Sequence, residues 1–163
     1  MERGGGTYAL VMVLESALRL QIGRLGTYDL PRGHYIYVGS ALGGLAGRLR
    51  RHLRAEKRLR WHIDYLLQSA TLVEIWYAFA QDRLECTWNK LVGNLEGAMR
   101  LVPGFGASDC YCPSHLTHFY TLPLFDLFRE EVEGASGITQ LFRLAIAMPD
   151  TRCLAEHQNR QTD

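Results

Sequence analysis

"HYIYVGSALGGLAGRLRRHL" (residues 34–53) joins an aromatic, β-branched run to a glycine-broken turn and a basic segment of helical spacing. Period-two alternation in HYIYVG (34–39) predicts a strand with Tyr35 and Tyr37 on one face and Ile36 and Val38 on the other. Gly43 and Gly44 end the turn, and a helix is predicted from Leu45 to Lys57. Leu45, Leu49 and Leu53 recur four apart and form its buried stripe. Arg48 and His52 flank that stripe on one side, where a side chain held by the core can still reach across the sheet. Arg50, Arg54 and Lys57 lie on the other flank, where solvation alone accounts for them. Such a unit suits a protein that sets a few polar side chains against a phosphodiester. It equally suits a helix whose solvated face is basic, and the segment by itself does not separate the two.

Working outward, TYALVMVLE (7–15) reads as a largely buried strand, and LRLQIG (18–23) as a half-exposed strand paired to it. Gly26, Pro31 and Gly33 punctuate the turn that follows. WHIDYLLQS (61–69) predicts a short helix and TLVEIWYAFA (71–80) a fourth strand. DRLECTWNKLVGNL (82–95) predicts a third helix with Asp82 as its N-cap. VPGFGASDCYCPSHL (102–116) is a long loop, after which HFYTL (118–122) can return as a strand. PLFDLFREEV (123–132) and ITQLFRLAIAM (138–148) both read as amphipathic helices. The order β-β-β-α-α-β-α indicates a small mixed α/β (α+β) fold, a mainly antiparallel sheet flanked by helices. The expected divisions are a domain over 1–120, a helical extension over 121–148 packed on it, and a disordered polar tail over 149–163.

The 163 residues suit one domain with room for a real core, and the net charge of +1 names no partner. The distribution of charge says more. Seven Lys or Arg residues between Arg48 and Arg60 face the single Glu56, the footprint of an anion-binding face or of a solvated helix. No leader-like segment and no run long enough to span a bilayer are visible, so a cytoplasmic location is expected, with no membrane partner. In that compartment Cys86, Cys110, Cys112 and Cys153 serve as thiols or metal ligands rather than disulfides.

The strand with Gly6-x-Tyr8, YVGSA (37–41), the arginine and histidine of RLRRH (48–52) and the glutamate of LEC (84–86) resemble the GIY-YIG nuclease superfamily. More narrowly, GHYIYVGSA, WHIDYLL, LEC and GFGASDCYCPSHL in that order resemble the branch catalogued as domain of unknown function 123, which also occurs fused to endonuclease III-type glycosylases. The resemblance covers roughly residues 6–120. It implies a GIY-YIG-like fold and a metal-dependent endonuclease that hydrolyses DNA phosphodiester bonds in repair or processing. Tyr8 and Tyr37 would be the two motif tyrosines, and Arg48 the arginine on the scissile phosphate. His52 would be the histidine one turn later. Glu85 would be the carboxylate that holds one Mg2+ or Mn2+ ion. Gly39, Ser40, Arg51 and Arg54 are the expected DNA-contacting positions. Tyr8 and Tyr37 bracket an extra strand, and a second GTY (26–28) places Tyr28 at the superfamily's more usual distance. Tyr8 is preferred because GTYALVMVL continues as a strand, whereas GTYDLPRG breaks at Pro31.

Elementary chemistry points the same way. Phosphodiester hydrolysis needs a fixed cation for developing phosphoryl charge, a group that orients or deprotonates water, and a hard metal ion. A guanidinium suits the first task, a phenol or imidazole the second, and a carboxylate the third. Each residue also has a plain packing or solvation role, so a non-catalytic nucleic-acid-binding module with the same fold is the rival reading. DNA is the expected partner, RNA would satisfy the same chemistry, and other repair proteins are further candidates. Cys110, Cys112 and His115, with Cys86, could bind a structural Zn2+ or be thiols buried behind the site. In the former case a zinc-stabilised protein-interaction domain is a third reading. His62 and Asp64 are either supporting groups of the site or a helix-capping pair.

Overall fold

A computed structural model describes residues 4–123 and 125–146. Its organising element is β1 (Gly6–Leu14), whose uninterrupted apolar run is buried on both faces. Strands β4 (Gly33–Ala41) and β5 (Thr71–Phe79) pair with it on either side. β6 (Leu116–Phe119) and β7 (Phe142–Ala145) form the edges, giving a five-stranded sheet in the order β6-β4-β1-β5-β7 with every pair antiparallel. The strand period sorts β1 into two cores. Tyr8, Leu10 and Met12 face one layer, made by α1 (Leu45–Leu53), α2 (His62–Leu67) and a separate hairpin of β2 (Leu18–Ile22) and β3 (Gly26–Leu30). Ala9 and Val11 face the other layer, made by α3 (Glu85–Gly93) and α4 (Phe125–Ser136) around Trp76, Trp88 and Phe128. Tyr35 and Tyr37 sit with the first layer and Ile36 and Val38 with the second, as the alternation requires.

The mixed, mainly antiparallel architecture is as expected, but several elements differ in detail. Residues 18–23 do not pair with β1. They turn through Gly23, at φ 49°, and pair with the segment that the glycine–proline punctuation marked as a turn. Both strands of this hairpin bury one end residue, Ile22 and Leu30, and alternate half-exposed with exposed residues elsewhere; the hairpin lies against α2 and does not extend the sheet. α1 stops at Leu53, itself 45% exposed, because Arg54 turns extended. Lys57 lies beyond the helix, and its ammonium donates to the carbonyls of Arg51 and His52, compensating the negative helix end. α3 begins at Glu85 with Leu84 at the N-cap, so Asp82 does not cap it. Part of 138–148 is strand: Phe142 stacks on Tyr77 with ring centroids 5.2 Å apart, and Arg143 pairs with Glu74. The extension therefore supplies a sheet edge as well as a helix. The expected disordered tail over 149–163 lies outside the described residues. No helix among the described residues is long and apolar enough to cross a membrane.

Candidate active site

Tyr8 lies opposite Gly39 in the β1–β4 register. A Cβ at position 39 would stand 2.6 Å from the Tyr8 hydroxyl and 2.7 Å from its Cζ, so only glycine lets the ring cross β4. Tyr37, two residues earlier on the same face of β4, places its ring centroid 6.4 Å from that of Tyr8. The backbone of the 102–116 loop closes over Tyr37 at Gly106 (φ 66°), where a Cβ would approach the Tyr37 ring to 2.8 Å. A cleft of about 420 Å³ opens at this point, with Tyr8, Tyr37, Ser40, Arg48, Trp61 and Glu85 among its walls. Gly39 thus makes room for Tyr8 and itself lines the cleft. Tyr28 sits on the β2–β3 hairpin, bonded to the Leu25 carbonyl, so Tyr8 is the tyrosine that meets Tyr37.

Arg48 and His52, one turn apart on α1, take different positions. Arg48 donates to the Ser40 carbonyl at 3.2 Å, and its guanidinium lies 4.4 Å from the Trp61 ring centroid, a cation–π contact that holds it toward the cleft. His52 is buried behind Tyr8, its Nε2 2.8 Å from the phenol oxygen, and it does not line the cleft. Burial, followed by the charge of Lys57, lowers the His52 pKa to about 3, so the ring is neutral. Burial pushes Tyr8 up to about 12, with the Arg48 charge opposing, and raises Tyr37 well above the ordinary phenol value, with Tyr8 as second cause. Both phenols are protonated at neutral pH.

The neutral His52 has a consequence for stability. Between its unfolded value of 6.5 and its folded value of about 3, the unfolded chain carries a proton that the folded chain does not. Stability attributable to this group is full above that window and falls as pH drops through it, by about 1.4 kcal/mol per pH unit. Urea unfolding of His52→Gln is expected to show a pH slope shallower by about one proton below pH 6. An unchanged slope would mean that His52 titrates normally in the folded protein.

Arg51 and Arg54 are not at the cleft. Arg51 donates both guanidinium arms to the buried Asp64 carboxylate, each at 2.9 Å, and stacks 4.0 Å from the Trp61 centroid. Asp64 also accepts the backbone N–H groups of Arg60 and Trp61 at 2.8 and 3.0 Å, capping α2. Burial pushes the Asp64 pKa up, but the Arg51 bonds and the two N–H donors outweigh it and leave the carboxylate below its ordinary value. Asp64 is therefore a cap and an ion-pair partner. His62 accepts the Gly106 N–H at 2.9 Å and fixes the loop. Arg54 is exposed and lines a different pocket with Leu53 and Leu72.

Glu85, the first residue of α3, projects into the cleft from the wall opposite α1. Its Oε2 accepts the Ser40 hydroxyl at 3.0 Å, so Ser40 links Glu85 to Arg48 through its side chain and carbonyl. Arg83 stands 3.7 Å from Oε1 and also pairs with Asp109 at 3.4 Å. One carboxylate at the wall of an open cleft fits a hard divalent cation that completes its shell with water and phosphate oxygen. Arg83, with more than half its side chain exposed, is free to swing away from such an ion.

Directly after Glu85 comes Cys86, and the fold brings it to Cys110, Cys112 and His115. One donor atom from each lies within 4.8 Å of all the others, so the group could hold a metal ion. The His115 Nδ1 lies 3.0 Å from the Val38 carbonyl, which can only accept, so Nδ1 carries the proton and the Nε2 lone pair faces the Cys110 sulfur at 3.2 Å. Burial, with the neighbouring Cys112 and Cys110, pushes the Cys86 thiol up to about 12, and burial also raises Cys110. Cys153 lies outside the described residues. The sequence held no sign of Trp61 beside two guanidiniums or of the Ser40 bridge, because both depend on how separate elements pack and not on a local period.

Comparison with curated proteins gives no match, and neither does comparison with solved structures. A family model does match residues 7–135, from β1 almost to the end of α4, and the chain accordingly belongs to the family described as Domain of unknown function DUF123.

Proposed function

We propose that the cleft binds DNA and hydrolyses a phosphodiester bond with one divalent cation, in the manner of the GIY-YIG nucleases that the sequence resembles. The observation that carries this reading is convergence. Tyr8, Tyr37, Arg48 and Glu85 come from two strands and two helices and meet at one cleft. Core packing alone gives no reason for a guanidinium and a carboxylate to join two tyrosines there.

In this reading Arg48 faces the scissile phosphate. The Ser40 carbonyl and the Trp61 face hold it in place beforehand, so stabilising the developing phosphoryl charge needs little reorganisation. Tyr8 and Tyr37 orient the attacking water. The bond to His52 fixes the Tyr8 oxygen and leaves it lone-pair capacity toward the cleft, so His52 is a positioning residue. Glu85 would hold Mg2+ or Mn2+, which when bound supplies Lewis-acid stabilisation of the leaving oxygen. The soft thiolate and imidazole donors beside it suit Zn2+ and take no part in the chemistry. The resemblance to a branch fused to glycosylases favours repair or processing as the setting.

With Arg51 committed to Asp64, the cations left at the cleft are Arg48, Arg60 and Arg83. About three neutralised phosphates give an affinity that falls roughly tenfold or more between about 50 and 200 mM salt. Fluorescence anisotropy with a short DNA duplex checks this. A flat response would remove nucleic-acid binding, and with it both the nuclease and the non-catalytic module.

A further inference from the structure

We propose that Cys86, Cys110, Cys112 and His115 bind one Zn2+ ion, and that this ion is the clip that fixes Glu85 at the cleft. The second part rests on the nuclease reading, whereas the first stands without it. Four soft donors with no open position form the closed set of a structural zinc centre, unlike a catalytic zinc site, which keeps a position for water. A tetrahedral ion at about 2.3 Å from sulfur and about 2.0 Å from nitrogen needs donors roughly 3.5–3.8 Å apart. The observed mutual limit of 4.8 Å and the 3.2 Å between Cys110 and His115 bracket that value. The Val38 carbonyl already holds His115 in the tautomer that ligates through Nε2. Backbone bonds fix the same residue from both sides: its N–H donates to the Phe105 carbonyl at 2.7 Å, and its carbonyl accepts the Val38 N–H at 3.1 Å.

The ligands are distributed over both walls of the cleft. Cys86 is the neighbour of Glu85 in the first turn of α3. His115 grips β4 at Val38, between Tyr37 and Gly39. Cys110 and Cys112 belong to the loop that carries Gly106 over Tyr37 and Asp109 onto Arg83. One ion therefore ties the start of α3, the tyrosine strand and the loop together. The other side-chain ties between α3 and the loop among the described residues are the more than half-exposed Arg83, bridging Glu85 and Asp109, and Asn89 with Arg100 on the Ser114 carbonyl, more than a helical turn from Glu85. Without the ion, Glu85 is held by the Ser40 hydroxyl and the exposed Arg83, and the first turn of α3 loses its link to the loop through Cys86.

The test needs no DNA. Protein purified without chelator should contain about one zinc per chain. Exchange into Co2+ should give the intense visible bands of a tetrahedral thiolate site, and Glu85→Ala should retain both signals. Cys112→Ser should lose both. Should that variant not fold, the wild type is stripped of zinc with a chelator and followed by hydrogen–deuterium exchange. Amides of residues 84–88 and 105–115 should then exchange at least about tenfold faster, those of β1 and β5 should hold, and zinc should reverse the change. Zinc well below one per chain without a cobalt spectrum, or full zinc content in Cys112→Ser, would overturn the site. Zinc that can be removed with no change in exchange at 84–88 would overturn the clip. The nuclease reading survives either failure, since its own ion is held elsewhere.

Discussion

Glu85→Ala is expected to abolish cleavage while leaving DNA affinity unchanged or slightly higher. Among the described residues the carboxylate is the only acidic side chain that the cleft shares with Tyr8, Tyr37 and Arg48 apart from Asp109, which is paired with Arg83. A single carboxylate holds Mg2+ weakly, so the ion's affinity should be poor in free protein and improve when DNA contributes a phosphate oxygen. Removing the carboxylate takes away that ion, and a negative charge beside the phosphates goes with it. The Ser40 hydroxyl loses its partner but faces the cleft, where water replaces it, so the fold should be little affected. Single-turnover cleavage with titrated Mn2+, read beside anisotropy on the same DNA, separates the two effects. Equal cleavage by wild type and variant would show that Glu85 holds no essential ion.

The second large effect falls on stability. Arg51→Ala is expected to cost about 3 kcal/mol of folding free energy, because it strands a buried carboxylate. The estimate sits at the low end of the range for broken buried pairs, since Asp64 keeps two backbone N–H donors. The loss should shrink in acid: without Arg51, burial dominates, the Asp64 carboxyl titrates at higher pH, and its protonation relieves the unpaired charge. Arg48→Ala should behave in the opposite way. Its contacts are the Ser40 carbonyl, the Trp61 ring face and the Tyr8 hydroxyl, all at the cleft, so the fold holds, while cleavage falls on the order of a hundredfold or more. Urea denaturation and single-turnover kinetics of the two variants make the comparison. A stable Arg51→Ala protein with weakened DNA binding would return Arg51 to the phosphates.

Local pattern predicted what local physics decides. The burial of 7–14 and the facing of Tyr35–Val38 follow from the strand period, and the structure keeps both. On α1, His52 joins Leu45 and Leu49 in the buried set in place of the exposed Leu53, while Arg48 reaches the cleft. The destination of a cation could not be read that way. Arg48 and Arg51 differ by three positions on one basic helix, yet one faces the cleft and the other a buried aspartate thirteen residues on. For His52 the sequence offers an imidazole serving the attacking water or a plain packing or solvation role. Only the packing of α1 on β1 places it behind Tyr8. The β2–β3 hairpin was misread for a related reason. Proline and glycine mark where a chain bends, and Pro31 and Gly33 do close β3, but Gly26 opens it. Residues 138–148 carry an apolar spacing that fits helix or strand, and pairing with the free edge of β5 decided for strand at Phe142–Ala145.

The most direct measurement of the central claim is incubation of the full chain with end-labelled duplex, flap, junction and single-stranded DNA, with Mg2+, with Mn2+ and with neither added. The account predicts cleavage of at least one DNA form that requires added Mg2+ or Mn2+ and is lost in Glu85→Ala and Arg48→Ala. DNA that is bound but left intact by wild-type protein in both metals would contradict it and leave a binding module in place of an enzyme.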